Sequence, residues 1–405
     1  MTFADGTNSA TVANVEIIIG GTGDDTITLA TAAVAASIDL GGGSDTLTFG
    51  NLVNSATVAN VETITGGAAA DTVTLGSALT TDMAINLGTG SNKLTLSAAG
   101  NIGTVSNVNT LVGGAGADTI TLDAAVTNTS VDLGTGSDSL TLASGTNSAT
   151  VTNVETIAGG TGADAVTLAN TLGTAMSVNL GTGANKLTLA AGGNTGSVTN
   201  VNTLVGGTGA DTITLNTTAA GASIDLGAGN DTLILANGHN SVTLANVETI
   251  IGGAGGDDIV LLGTLARTVS GGEGINFITG NSGGDTFVFD QNGDGNNTIM
   301  NFSAARGDLL GLDTTGSATL TNNPFDLGGV ALTNGIDIAM VADSAALLAK
   351  TLSTGGKGGF VYEQDTGGLY YNSAGNFSGG GTLLGIVTTD GTTPWLYDPN
   401  KFIEV

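Results

Sequence analysis

The chain has no cysteine, so no disulfide closes any part of its fold. A secreted protein built this way is expected to use another stabiliser, such as metal. Basic residues are scarce, with 7 Lys and Arg against 35 Asp and Glu and a formal charge of −28. Such a chain is excluded as a nucleic-acid binder, because phosphate recognition needs Lys and Arg. Binding to a bare anionic bilayer is disfavoured for the same reason. No run of about 18 apolar residues occurs, so no transmembrane segment is expected. A signal peptide with a basic leader is also missing, which places any export signal elsewhere. Aromatic residues make up 4% of the chain and proline only 3 positions. A core is affordable at 40% apolar content, but it must be thin.

What is abundant is glycine, 68 residues without a collagen period, which points to regularly placed turns. Diglycines begin at Gly20, Gly66, Gly113, Gly159, Gly206 and Gly252, at successive spacings of 46, 47, 46, 47 and 46 residues. Before them recurs Asn-Val-Glu, at Asn14, Asn60, Asn153 and Asn246, or Asn-Val-Asn, at Asn107 and Asn200. One period reads as four strands: Thr26–Leu29, Ser37–Leu40, Thr46–Phe49 and a longer one from Ala56 to Ile64. Alternation points Ile, Leu and Phe inward and Thr outward. The expected fold is all-β: a β-solenoid of about a dozen coils, two coils per period, each of two strands. Repeats start at the first residues, so the sequence reads as a fragment that begins inside a coil. The period fades after Leu262, and residues 290–405 are expected to form a compact β-rich cap on a 1–289 solenoid. Ser344–Thr351 is the cap's best helix candidate.

Each of the twin strands follows a glycine loop ending in an acid or its amide. Examples are Gly20-Gly21-Thr22-Gly23-Asp24-Asp25, Gly41-Gly42-Gly43-Ser44-Asp45 and Gly113-Gly114-Ala115-Gly116-Ala117-Asp118. Stacked glycine loops offer carbonyl oxygens, and the acids offer carboxylates; oxygen-only donors are what Ca²⁺ prefers. Candidate metal residues are Asp24, Asp25, Asp45, Asp71, Asp118, Asp138, Asp164, Asp211, Asp231, Asp257, Asp258, Asp285, Asp290 and Asp294.

This pattern resembles the G-G-x-G-x-D-x-U-x repeat of RTX proteins. Gly271–Asp313 is similar to the end of an RTX block, and Phe360–Thr388 with the apolar ending Phe402-Ile403-Glu404-Val405 resembles a type I secretion signal. The resemblance implies calcium ions as partners, secretion to the cell exterior, and self-association or contact with other cell-surface components. RTX rolls carry glycine loops on both edges, whereas here the coils are longer and only one edge is expected to carry them. The family spans adhesins, S-layer proteins, toxins, proteases and epimerases, so fold does not choose the function.

Asp290-Gln291-Asn292-Gly293-Asp294-Gly295 opens like an EF-hand loop, but Asn301 stands where the closing Glu belongs. Enzyme signatures are missing, with one histidine, His239, and no HExxH or G-x-S-x-G. The leading expectation is a non-catalytic, calcium-rigidified structural region of a surface protein, such as an S-layer, a matrix or an adhesin stalk. Alternatives are the secretion module of a larger RTX enzyme or toxin, or an ice-binding face built from Thr26/Thr28, Thr46/Thr48, Thr72/Thr74, Thr119/Thr121 and Thr212/Thr214. Finally, the second loop of each period alternates. Asp39 with Asp45, Asp132 with Asp138 and Asp225 with Asp231 carry acids; Asn86 with Asn92 and Asn179 with Asn185 carry amides. The true repeat is therefore 93 residues. Calcium is expected beside Asp45, Asp138 and Asp231, and the amides are expected to bond the turn backbone instead.

Overall fold

The computed structural model describes residues 1–289, 297–312, 338–341, 359–363, 365–366, 368–372, 382–389, 393–394 and 402–404. Two compact units are present: Met1–Ala190 with Thr199–Val201, and Ala191–Val198 with Asn202–Val405. Among the described residues the fold is an all-β solenoid of mainly parallel strands, with about 15 turns.

In the first unit, Thr26–Leu29 shows why these strands form. Ile27 is fully buried and Leu29 nearly so, while Thr26 faces solvent. Ile27 pairs in register with Leu47, Leu47 with Ile64, and Ile64 with Ile85. Each such aliphatic side chain contributes roughly 1.5–3 kcal/mol of burial. Two faces result. Sheet I includes Ile17–Thr22, Ala36–Gly42, Ser55–Ala59, Thr72–Leu75, Lys93–Thr95, Thr110–Gly114 and Thr129–Gly134. Sheet II includes Ser9–Val12, Thr26–Leu29, Thr46–Thr48, Thr63–Thr65, Ala84–Asn86, Ile102–Ser106, Thr119–Leu122 and Ser139–Thr141. Phe49 is the unit's single buried ring, as a thin core requires.

The coil count differs from the sequence expectation. The stretch Ala56–Ile64 is two strands, Ser55–Ala59 on sheet I and Thr63–Thr65 on sheet II. Between them Asn60 takes φ 51°, a left-handed turn that asparagine tolerates. The same conformation recurs at Asn14, Asn107, Asn153, Asn200 and Asn246, which explains the Asn of the recurring triplet. One period therefore holds five strands, or two and a half coils. Successive periods land on opposite sheets: Thr26–Leu29 lies on sheet II, Thr72–Leu75 on sheet I, and Thr119–Leu122 on sheet II again. Only after 93 residues, five whole coils, does the chain return to register.

Two further expectations are corrected by this half-integer count. Glycine loops occupy both edges, since Gly20–Asp25 leads from sheet I to sheet II and Gly66–Asp71 from sheet II to sheet I. The threonine pairs do not form one ladder either. Thr26/Thr28, Thr46/Thr48 and Thr119/Thr121 are on sheet II, and Thr72/Thr74 is on sheet I.

The second unit repeats the arrangement. Thr195–Thr199, Thr212–Leu215, Thr232–Ile234, Thr249–Ile251 and Thr268–Ser270 pair on one face. Thr203–Gly207, Ala220–Gly227, Ser241–Ala245, Asp258–Leu261 and Phe277–Thr279 pair on the other. Parallel pairing continues from Thr286–Phe289 to Leu309–Leu312, and from Phe277–Thr279 to Asn297–Met300. Antiparallel pairing begins where Gly359–Glu363 meets Gly368–Asn372, which in turn meets Thr382–Val387. The expected helix Ser344–Thr351 lies outside the described residues.

Candidate metal centres at the coil corners

Stacking sets the corner geometry first. Gly41 has φ +93°, and a Cβ there would lie 2.2 Å from the Gly21 carbonyl oxygen. Only glycine permits both the conformation and the approach. The loops therefore stack with carbonyl groups in close order, and the acids at their ends turn inward.

The first-loop acids Asp25, Asp71, Asp118, Asp164, Asp211 and Asp257 are each 0–1% exposed. Each is clasped by an asparagine 17 residues earlier. Asn101, for example, donates its backbone N–H and its Nδ2 to Asp118 Oδ1, both at 2.8 Å. Asn8, Asn54, Asn147, Asn194 and Asn240 do the same for Asp25, Asp71, Asp164, Asp211 and Asp257. The second oxygens of Asp71, Asp118 and Asp257 accept the N–H of Gly67, Gly114 and Gly253, each at 3.3 Å. The Oδ2 atoms of Asp25, Asp164 and Asp211 have no hydrogen-bond partner, and burial pushes the Asp257 carboxyl up despite its donors. Sequence reading missed the asparagines, although Asn8, Asn54, Asn101, Asn147, Asn194 and Asn240 recur at the same 46/47 spacing.

The second-loop acids differ. Asp45 Oδ1 accepts the N–H of Asp25 at 2.7 Å, and the Asp45 N–H donates to Glu62 Oε2 at 2.7 Å. Asp138 stands in the same way between Asp118 and Glu155, and Asp231 between Asp211 and Glu248. All three are at most 1% exposed, and their Oδ2 atoms, like those of Asp25, Asp164 and Asp211, have no hydrogen-bond partner. Burial pushes the Asp45 and Asp138 carboxyls up, with repulsion from Glu62 and Asp25, or from Asp118 and Glu155, opposing one lowering backbone hydrogen bond. Asp231 is pushed up to about 6, by burial first and then by Glu248, Asp211 and Asp225. The glutamates of the recurring triplet thus have a role that the sequence reading did not assign.

The amide corners behave as expected from the sequence. Asn92 Oδ1 accepts the Asp71 N–H at 2.9 Å, and its Nδ2 donates to the carbonyls of Leu87, Gly88 and Asn107 at 3.1, 3.2 and 3.0 Å. Asn185 Nδ2 donates likewise to Leu180, Gly181 and Asn200.

The other candidates are more scattered. Asp24 is exposed and accepts the Ser44 N–H at 2.8 Å. Asp258 is half-buried with its carboxylate 3.8 Å from His239 Nε2. Asp285 is buried, accepts the N–H groups of Arg267 and Asn281, and is raised to about 6, chiefly by burial. Asp290 and Asp294 lie outside the described residues. Among the described residues, no three His, Asp or Glu side chains converge on one point. A cation here would take most of its oxygens from the main chain. Unpartnered carboxylate oxygens buried beside stacked carbonyls fit a hard cation such as Ca²⁺.

Four segments, residues 13–29, 105–124, 199–216 and 223–242, match the RTX calcium-binding nonapeptide repeat. The glycine loops of the first two lie where the chain passes from sheet I to sheet II, and those of the last two, in the second unit, lead from the face of Thr203–Gly207 to the face of Thr212–Leu215. No curated protein matches the chain.

Proposed function

We propose that this chain, which carries RTX calcium-binding repeats on a β-solenoid, is the calcium-stabilised structural region of a secreted bacterial surface protein. The reading is of a non-catalytic stalk, S-layer or matrix element. One observation carries it. The buried Oδ2 atoms of Asp25, Asp45, Asp138, Asp164, Asp211 and Asp231 lack partners, although an uncompensated buried charge is costly. A bound cation supplies the compensation, and with it the folding energy that a disulfide-free, thin-cored chain otherwise lacks. His239, the one histidine, is exposed and contacts Asp258 and the Gly256 carbonyl, an arrangement suited to a surface turn.

The test is circular dichroism of the full chain in chelator, followed by calcium addition. Mostly unfolded chain in chelator and a β signal at about millimolar calcium are expected. An unchanged β signal in chelator overturns the reading. Ordered sheets or filaments in images of the calcium-loaded protein would favour the S-layer or matrix role over a secretion module.

A further inference from the structure

Two surface positions alternate in charge from one period to the next. Asp39 becomes Asn86, returns as Asp132 and becomes Asn179; Thr46 becomes Lys93, then Ser139, then Lys186. The half-integer coil count turns both alternations into one spatial rule. Asp39, Lys93, Asp132 and Lys186 all lie on strands of sheet I. Asn86, Asn179, Thr46 and Ser139 all lie on sheet II. Each of them points outward, exposed or half-buried. In the first unit, therefore, every charged side chain on a strand is on sheet I, and sheet II carries none from Ser9–Val12 to Ser177–Asn179. The second unit by itself follows the same rule. Asp225 and Asp258 lie on the face of Thr203–Gly207, and the opposite strands from Thr195–Thr199 to Thr286–Phe289 carry no charge.

Local bonding does not make this choice. Asp39 Oδ1 accepts Asn60 Nδ2 at 2.8 Å, and Asn86 Oδ1 accepts Asn107 Nδ2 at 2.7 Å. Each also accepts a glycine N–H two residues on, from Gly41 at 3.2 Å and from Gly88 at 2.9 Å. An acid and an amide serve the turn equally, so what selects the amide on sheet II acts from outside the coil. A carboxylate or an ammonium is costly to cover and repels its own kind, whereas a hydroxyl both donates and accepts. On sheet II, Thr26, Thr46 and Thr63 stand in register, as do Thr28, Thr48 and Thr65. A face of hydroxyls and amides complements a copy of itself, as a two-fold contact requires.

We propose that sheet II is the face through which two copies of this chain associate. The inference rests on the structural reading above and names its contact surface. Charge supports a second copy as the occupant. With −28 per chain, two copies repel wherever corner acids, or Asp39 and Asp132, come together, and sheet II is the face that avoids this. Size supports it too. In the first unit sheet II has ten strands. At about 4.8 Å per strand, with two outward side chains about 7 Å apart on each, the face offers roughly 600 Å² per copy. Two copies then bury about 1,200 Å², enough for a stable pair.

The experiment is sedimentation of the full chain in saturating calcium. Wild type should run as a dimer or larger. Thr48→Lys/Thr141→Lys places on sheet II a charge that strands of sheet I already hold at Lys93 and Lys186, so the β signal should stay and the dimer should be lost. Lys93→Thr/Lys186→Thr, on the opposite face, should associate as wild type does. Wild type that stays monomeric overturns the inference, including a monomer that instead binds ice crystals or a neutral polysaccharide through this face. Undiminished association of the sheet II variant overturns it too, as does loss of association in the sheet I variant. Each of these outcomes leaves the calcium-stabilised reading intact, because that reading is decided by the chelator experiment. Should Thr48→Lys/Thr141→Lys fail to fold, Asn86→Asp/Asn179→Asp gives the answer, since it copies Asp39 and Asp132 onto sheet II. Loss of the dimer with the β signal kept supports the inference, and an unchanged dimer overturns it.

Discussion

The backbone N–H of Asp25 donates to Oδ1 of Asp45, one coil later, at 2.7 Å. The same bond joins Asp118 to Asp138 and Asp211 to Asp231. Each corner thus uses an inward side chain to satisfy a buried backbone donor of the neighbouring coil, as interiors require. The coils are held by a ladder of corner side chains as well as by the sheets.

That ladder predicts a cost for removing its asparagines. Asn101 presents Nδ2 to Asp118 Oδ1 and to the carbonyls of Ser97 and Ala99, at 2.8, 3.1 and 2.7 Å. Asn101→Ala leaves Asp118 and both carbonyls short of a donor, inside the corner. A loss of about 1–3 kcal/mol is expected from denaturant unfolding in saturating calcium.

Adjacent glycines offer a sharper contrast. Gly41 combines φ +93° with a carbonyl 2.2 Å from a built Cβ, whereas Gly42 has neither positive φ nor any neighbour within 4 Å. Gly41→Ala is expected to cost more than about 2 kcal/mol, and Gly42→Ala to lie within about 0.5 kcal/mol of wild type. Equal melting shifts for the two variants would refute close loop stacking.

Much of this was legible in one dimension. The period, the inward Ile and Leu, and the acid–amide alternation all follow from spacing. So did the expectation that Asn92 and Asn185 bond the turn backbone. The coil count did not, because Ser55 to Thr65 looks like one continuous β-branched run. Asn60 splits it by adopting a left-handed conformation that composition does not announce. Without that turn the period appears to hold a whole number of coils, and both edges and threonine faces are misassigned. The Asn–Asp clasps were hidden for another reason: a polar residue 17 positions away matters only once coil length is known.

Acid should partly replace metal in the chelated protein. Asp231 is raised from 3.8 to about 6 by burial, then by Glu248, Asp211 and Asp225, against one lowering hydrogen bond. Between those values the folded chain binds more protons than the unfolded one. The contribution is full below 3.8 and is lost as pH rises through about 6. In EGTA the residual folded fraction should therefore fall between about pH 5 and about pH 7.5. Asp231→Asn should flatten that slope, and an unchanged slope would place the titration elsewhere.

The two kinds of corner acid should respond oppositely to one substitution. Asp118 accepts three N–H groups, from Asn101 twice and from Gly114. Replacing its carboxylate with an amide turns an NH₂ toward donors or sacrifices the Asn101 clasp. Asp118→Asn should therefore destabilise by about 1–3 kcal/mol, with calcium or without it. Asp138 accepts one N–H on Oδ1, and its Oδ2 has no partner. At the equivalent Asn92 position the NH₂ finds three carbonyls. Asp138→Asn should therefore stabilise the chelated protein by about 1–3 kcal/mol, because it removes a buried charge and adds donors. In saturating calcium the gain should vanish or reverse, since the variant forfeits an ion that stabilises the native state by mass action. The folded fraction of both variants in EGTA and their unfolding in calcium give four values. Parallel behaviour of Asp118→Asn and Asp138→Asn across those conditions would mean that the two corner types are chemically alike.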